Sequence, residues 1–147
     1  MQCLRSQTYT SLRKDRNFLR STLNALDSFS EGTLVTGGDF NVPLDLKLDT
    51  SSGTMTLPDY IIRGTRALLR EHQLSDCWRT LHCVDKDYTF YSTAHKSYYR
   101  LDYFLMQHRN LDNLISVRIA PMTWSDHAPV TMSIRPPAPP KNNGYGD

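Results

Sequence analysis

Thr33-Leu34-Val35-Thr36-Gly37-Gly38-Asp39-Phe40-Asn41 is a short apolar, β-prone run that breaks at two glycines and is followed at once by a carboxylate and an amide. Residues 33–36 read as a short buried strand, and an α/β fold presents its reactive groups at the carboxyl ends of such strands, beside a ligand crevice. Asp39 and Asn41 are two apart and would share a face on a continuing strand, but after Gly-Gly the backbone is expected to turn and hold both at the crevice edge. A carboxylate and an amide held there can take a proton from water and fix its orientation. The competing reading is a plain turn, in which the two side chains satisfy their own backbone.

Before this strand, Phe18, Leu19, Leu23, Leu26 and Phe29 recur at helical spacing from Asp15 onward, and Ser30-Glu31-Gly32-Thr33 stops the pattern. After it comes a polar excursion from Asp45 to Thr56, then a second helix with Pro58 in its first turn and Ile61, Ile62, Leu68 and Leu69 as its apolar stripe. Tyr88–Tyr91 and Arg100–Met106 have strand composition, so residues 92–99 predict a β-hairpin with a polar, basic tip. Residues 115–119 and 129–134 alternate as two further strands, with a turn at 124–127 between them. Residues 1–14 read as an irregular leader, 15–135 as the folded part, and 136–147, with Pro136, Pro137, Pro139 and Pro140, as a stiff linker and tail.

Composition narrows the class without naming it. At 147 residues and 39% hydrophobic content the chain can form one domain with a real core, and a net charge of +2 is too mild to indicate a partner. Cys3, Cys77 and Cys83 have neither zinc-ligand nor disulfide-framework spacing, which suits a reduced, intracellular setting. No apolar run approaches the roughly 20 residues of a membrane span, so no membrane partner is expected.

Two more motifs carry chemistry. Asp126 and His127 lie in the turn between the last two strands, where adjacent side chains diverge: the acid toward a metal or water, the imidazole toward a phosphate oxygen, whose developing charge it can stabilise. A turn aspartate beside a solvent-facing histidine is the plainer alternative. Asp102 is a carboxylate inside an aromatic and aliphatic strand, so it needs a partner. His127 is one candidate and would gain a fixed tautomer; Arg100, or exposure on an edge strand, is the other. Tyr88, Phe90, Tyr91, Tyr98 and Tyr99 interleave with His95, Lys96 and Arg100, a mixture of rings that stack and cations that meet phosphates, although several of these rings alternate as core residues should. His72, His82 and His108 read as surface or capping residues, Trp78 as core, and Trp124 as packed beneath the Ser125-Asp126-His127 loop.

The ordered set Gly38-Asp39-Phe40-Asn41, Tyr88-Thr89-Phe90-Tyr91-Ser92, Arg100-Leu101-Asp102-Tyr103 and Ser125-Asp126-His127-Ala128-Pro129-Val130 resembles the endonuclease/exonuclease/phosphatase superfamily. Within it, Tyr88–Met106 is most similar to the apurinic-type endonuclease domain of LINE-type retrotransposons. The resemblance implies the C-terminal half of a four-layer α/β sandwich, a mixed sheet flanked by helices, with the N-terminal half missing. It implies a magnesium-dependent (or manganese-dependent) DNA endonuclease. Asp39 would deprotonate water, Asn41 would position water or phosphate, and Asp102 would orient His127, which would stabilise the pentavalent phosphate; Asp126 would lie at the metal. Thr93, His95, Lys96, Ser97, Tyr98 and Arg100 would contact DNA, and the partners would be DNA and a missing half or a reverse transcriptase region, in the nucleus.

The same resemblance implies an early strand-end Asn, a metal-binding Glu and a Tyr that the 147 residues do not supply, since Glu31 lies in a turn too close to the Asp39 strand. Tyr99 also stands where a Ser or Thr is usual. The expectation is therefore weakened metal binding, no activity by this chain alone, and a sheet face left partly bare. A non-catalytic nucleic-acid-binding module, or a phosphatase or phosphodiesterase of the same superfamily, are the alternatives.

Overall fold

The structure, a computed structural model, describes residues 16–28 and 32–136. The expected leader, Phe29, and the tail beyond Pro136 lie outside the described residues. Helix α1 (Arg16–Asp27) precedes strand β1 (Val35–Asp39), helix α2 (Asp59–Glu71), strand β2 (Leu74–Asp76) and the short helix α3 (Cys77–Leu81). A hairpin of β3 (Phe90–Ser92) and β4 (Ser97–Tyr99) leads into β5 (Asp102–Gln107), a 3-10 turn at His108–Asn113, and the pair β6 (Leu114–Ile119) and β7 (Val130–Ile134). The class is α/β, and the strand pairs among the described residues are antiparallel, which refines the mixed sheet expected from the resemblance.

Strand β5 is the centre of a three-stranded sheet, with β1 on one side and β2 on the other. Its side chains alternate between two cores, as the period of two requires. Tyr103 and Leu105 face Leu19 and Leu23 of α1, Leu68 and Leu69 of α2, Phe40 and Leu74, a cluster whose members are buried. Met106 faces the other way, with Cys77, Trp78 and Val117; Phe104, Val35, Ile119, Val130, Met132 and Ile134 pack there only partly buried. The helix-covered face is closed, while the opposite face mixes buried and partly buried side chains. Burial pushes the Cys77 thiol up to about 12, with the Asp76 carboxylate adding to it, so this cysteine is neither a nucleophile nor a metal ligand near neutral pH.

The polar excursion after β1 is not a solvated loop. Asp49 and Thr50 within it are fully buried. The Asp49 carboxylate accepts from Arg100 Nε at 2.9 Å and from Arg79 Nη2 at 2.6 Å, and Arg100 Nη2 also donates to Asp76 Oδ2 at 2.6 Å. The Arg100 guanidinium lies over the Tyr103 ring at 4.6 Å and the Trp78 ring at 5.0 Å. Two acids, two arginines and two rings thus tie the excursion, α3 and the start of β5 into one unit.

Candidate active site

Asp39 ends β1 and Asp102 begins β5, and the antiparallel register sets them directly opposite each other. Gly37 makes this pairing possible. A Cβ there would sit 2.7 Å from the Phe104 ring, so the glycine leaves room for an aromatic neighbour across the strands. The ladder continues one residue past β1, with Phe40 N donating to Leu101 O at 2.8 Å. Asn41 then adopts φ 53°, a left-handed conformation that asparagine tolerates better than most residues. That turn brings its backbone N to 2.8 Å from Asp39 Oδ1 and its Nδ2 to 2.9 Å from Asp39 Oδ2. The motif is therefore a self-satisfied turn at the end of β1.

His127 completes the group. Its Nδ1 lies 2.8 Å from Asp102 Oδ2, and its Nε2 lies 4.0 Å from Asp39 Oδ2. A carboxylate can only accept, so Nδ1 carries the proton and Nε2 is turned toward Asp39. Asp102 thus has His127 as its partner, while Arg100 is committed to Asp49 and Asp76. The His127 loop is fastened to the hairpin: Tyr91 N donates to Asp126 O at 3.0 Å, Ala128 N donates to Thr89 O at 2.7 Å, and the Phe90 ring lies 4.8 Å from the imidazole.

Thr89 is the residue that sequence reading passed over as strand composition. It is fully buried, and its hydroxyl oxygen accepts from Leu101 N at 2.9 Å and from Asp102 N at 3.1 Å. With its carbonyl on Ala128, one side chain and one peptide fix both Asp102 and the loop that bears His127. The signal available in the sequence was a small hydroxyl residue between two rings in an otherwise aromatic strand.

Burial pushes the Asp39 carboxyl above its ordinary range, and the facing Asp102 adds to this; the Asn41 amide and His127 oppose it. The folded state therefore holds the Asp39 proton more tightly than the unfolded chain does. The stability this confers is full below the ordinary value of 3.8 and is lost as pH rises through the folded value. Asp39→Asn removes that dependence. Its stability relative to the wild type should climb as pH rises above the ordinary value of 3.8 in paired urea titrations. A difference that stays flat with pH would show that Asp39 is not perturbed.

The remaining predicted residues are distributed as follows. Asp126 is exposed, and its carboxylate accepts from the Ser125 hydroxyl at 3.1 Å. Thr93, His95 and Lys96 are exposed at the hairpin tip, and Lys96 closes the turn at φ 47°. Tyr98 is half open, its ring 4.6 Å from Tyr91 and 5.9 Å from Tyr88. Ser97 is buried, its hydroxyl donating to His95 O. Arg100 corrects the expectation of a DNA contact: it is 1% exposed, because the buried Asp49, the partly buried Asp76 and two rings hold it inside. Trp124 corrects another, being 97% exposed and not packed beneath its loop. His72 is buried and pairs with Asp27 at 2.7 Å, while His82 stacks on Trp78.

Among the described residues there is no group of three or more His, Cys, Asp or Glu side chains that could hold a metal ion. Magnesium is commonly held by one or two carboxylates, with water and substrate phosphate filling the rest. Each Asp39 oxygen accepts one bond from Asn41 and keeps a further lone pair, and Asp126 is the exposed carboxylate at this edge. The donors present do not by themselves make a magnesium site. No helix among the described residues is long and apolar enough to cross a membrane.

No protein-family model matches the chain. Its fold is similar to that of an AP endonuclease from Leishmania major, with a TM-score of 0.70 and 22% identity, over 83% of this chain and 44% of the other. It is also similar to a 3'-5' exonuclease from Neisseria meningitidis, with a TM-score of 0.59 and 22% identity, over 83% of this chain and 56% of the other. The chain therefore spans about half the length of these solved structures and shares the endonuclease/exonuclease/phosphatase-like fold over that span.

Proposed function

We propose that these residues are the histidine-bearing part of a DNA phosphodiester-cleaving site of retrotransposon origin, one that turns over only when a further metal-binding carboxylate is supplied. The observation that carries this reading is the line Asp102–His127–Asp39, with Nδ1 bonded at 2.8 Å and Nε2 4.0 Å from the second carboxylate. An imidazole that carries a proton on both nitrogens, with Nδ1–H on Asp102, can place Nε2–H on a phosphate oxygen, and the carboxylate beside it can act as a base on the attacking water. In this reading Asp39 accepts the water proton, Asn41 positions the water or the phosphate, and His127, oriented by Asp102, meets the charge that develops on phosphorus. Asp126 is the ligand this chain would offer a magnesium or manganese ion, and such an ion when bound would polarise the phosphate. Thr93, His95, Lys96 and Tyr98 would meet DNA at the hairpin tip, in the nucleus where genomic DNA lies.

A non-catalytic DNA-binding module is the second reading. It is favoured by the Asp39 oxygens being turned into the Asn41 amides and by the absence, among the described residues, of a group of three side chains that could hold a metal ion. The two readings separate in one plasmid-nicking experiment. Residues 16–136, joined to the part of the Leishmania major AP endonuclease that they do not match, should nick supercoiled DNA in magnesium, while the 147-residue chain alone should not exceed its His127→Ala control. A cooperatively melting chimera that binds DNA without nicking it would favour the binding module. Nicking by the chain alone that His127→Ala abolishes would show that the site completes itself.

A further inference from the structure

Trp124 is the most exposed large apolar side chain among the described residues, at 97%, against 57% for Tyr60 and 45% for Tyr98. It lies two residues before Asp126 and three before His127, in the connection between β6 and β7. That connection is held at both ends. Ala120 N donates to Pro129 O at 2.9 Å, the Ser125 hydroxyl accepts from His127 N at 3.1 Å, and Tyr91 N fastens Asp126 O. The ring is therefore a bare aromatic surface on a tethered support. It stands at the edge where β1 ends, β5 begins and β7 begins, which is the edge that carries Asp39, Asp102 and His127. Phe104 and Met132 sit against the second core, whereas Trp124 lies in the connection that carries Asp126 and His127.

We infer that Trp124 stacks on an unpaired nucleobase next to the phosphate held by His127, and so selects DNA that is single-stranded or locally unstacked. This rests on the proposed site. The chemistry is independent of base identity, since every base offers a π-face and a tryptophan ring can cover it. A base within a continuous duplex has both faces occupied by its neighbours, so a stacking contact of this kind discriminates by strand state. At the hairpin tip Lys96 meets phosphate and offers no ring, and Tyr98 already lies against Tyr91 and Tyr88.

Tryptophan emission tests this directly, because the chain has two tryptophans and Trp78, 5% exposed and stacked on His82, serves as an internal reference. Titrating the 147-residue chain with a mixed-sequence single-stranded oligonucleotide should quench the exposed component, with a weaker response to the matching duplex. Trp124→Ala should abolish the quench and weaken single-strand binding by about 10-fold or more, within the range of one base–aromatic stack, while Trp124→Tyr should restore most of the affinity. Binding of both DNAs with no quench and no loss in Trp124→Ala would overturn the inference and leave the proposed site standing. Binding of neither would overturn both. A blue shift that grows with protein concentration in the absence of DNA would assign the ring to a protein contact and overturn the stacking role.

Discussion

Asp49→Ala will destabilise the domain by about 3–5 kcal/mol, enough to leave a protein of ordinary stability close to unfolding at room temperature. Asp49 is fully buried and is the shared acceptor of Arg100 and Arg79, while its second oxygen accepts from Asp45 N at 2.9 Å. Removing it strands the Arg100 guanidinium, which is 1% exposed and already has one buried nitrogen, Nη1, with no hydrogen-bond partner among the described residues. Asp76 alone cannot satisfy it. A buried cation that has lost its principal acceptor costs far more than the net worth of the pair, because its desolvation is no longer offset. Arg79→Ala should cost less, since Arg79 is partly exposed and Asp49 would keep Arg100. Urea midpoints of the two variants give the comparison, and a loss below about 1 kcal/mol in Asp49→Ala would mean that water reaches the network.

The second large effect is on chemistry. In the chimera described above, His127→Ala should lower magnesium-dependent nicking by about 10²–10³-fold, the loss seen when one preorganised donor to a developing charge is removed. The substitution should leave the melting temperature nearly unchanged. His127 is about one-third exposed, and the loop keeps its backbone bonds to Thr89 and Tyr91 without the imidazole. Asp102→Asn should give a smaller loss, because an amide can still bond Nδ1 but no longer enforces the proton there. A chimera whose rate does not respond to His127→Ala would place the chemistry elsewhere.

What could be read from the sequence divides along physical lines. Helix stripes were legible because they rest on local periodicity: Leu19, Leu23, Leu68 and Leu69 are buried where the helical spacing placed them, whereas the strand expected over 33–36 runs instead from Val35 through Gly37-Gly38 to Asp39. The pairing of Asp102 with His127 was legible as one of two alternatives, because a charge in an apolar strand must find a partner. Arg100 was misplaced for a related reason. Its neighbours in sequence are tyrosines and a basic tip, whereas its partners in space, Asp49 and Asp76, are 51 and 24 residues away. Nothing in local composition marks an aspartate in a polar loop as fully buried, although the alternation Leu44, Leu46, Leu48 around Asp45 and Asp49 hinted that this loop packs. Trp124 failed in the opposite sense: an isolated tryptophan is read as core by default, and only the fold shows that it stands at an edge.

The Asp102–His127–Asp39 line is assembled from the described residues, in a chain that spans about half the length of the matched structures. Thr89 and the Phe90 ring fix Asp102 and His127, and the Arg100 network anchors the start of β5.

The most direct test is to follow the imidazole nitrogens of the five histidines by long-range nitrogen–proton NMR, with His127 assigned through His127→Ala, while adding a short DNA oligonucleotide. The account predicts that His127 carries its proton on Nδ1 toward Asp102, that Asp102→Asn disturbs this resonance, and that DNA shifts Nε2 of His127 together with the hairpin-tip His95. Bound DNA that leaves the His127 nitrogens unmoved, or a His127 tautomer indifferent to Asp102→Asn, would contradict it.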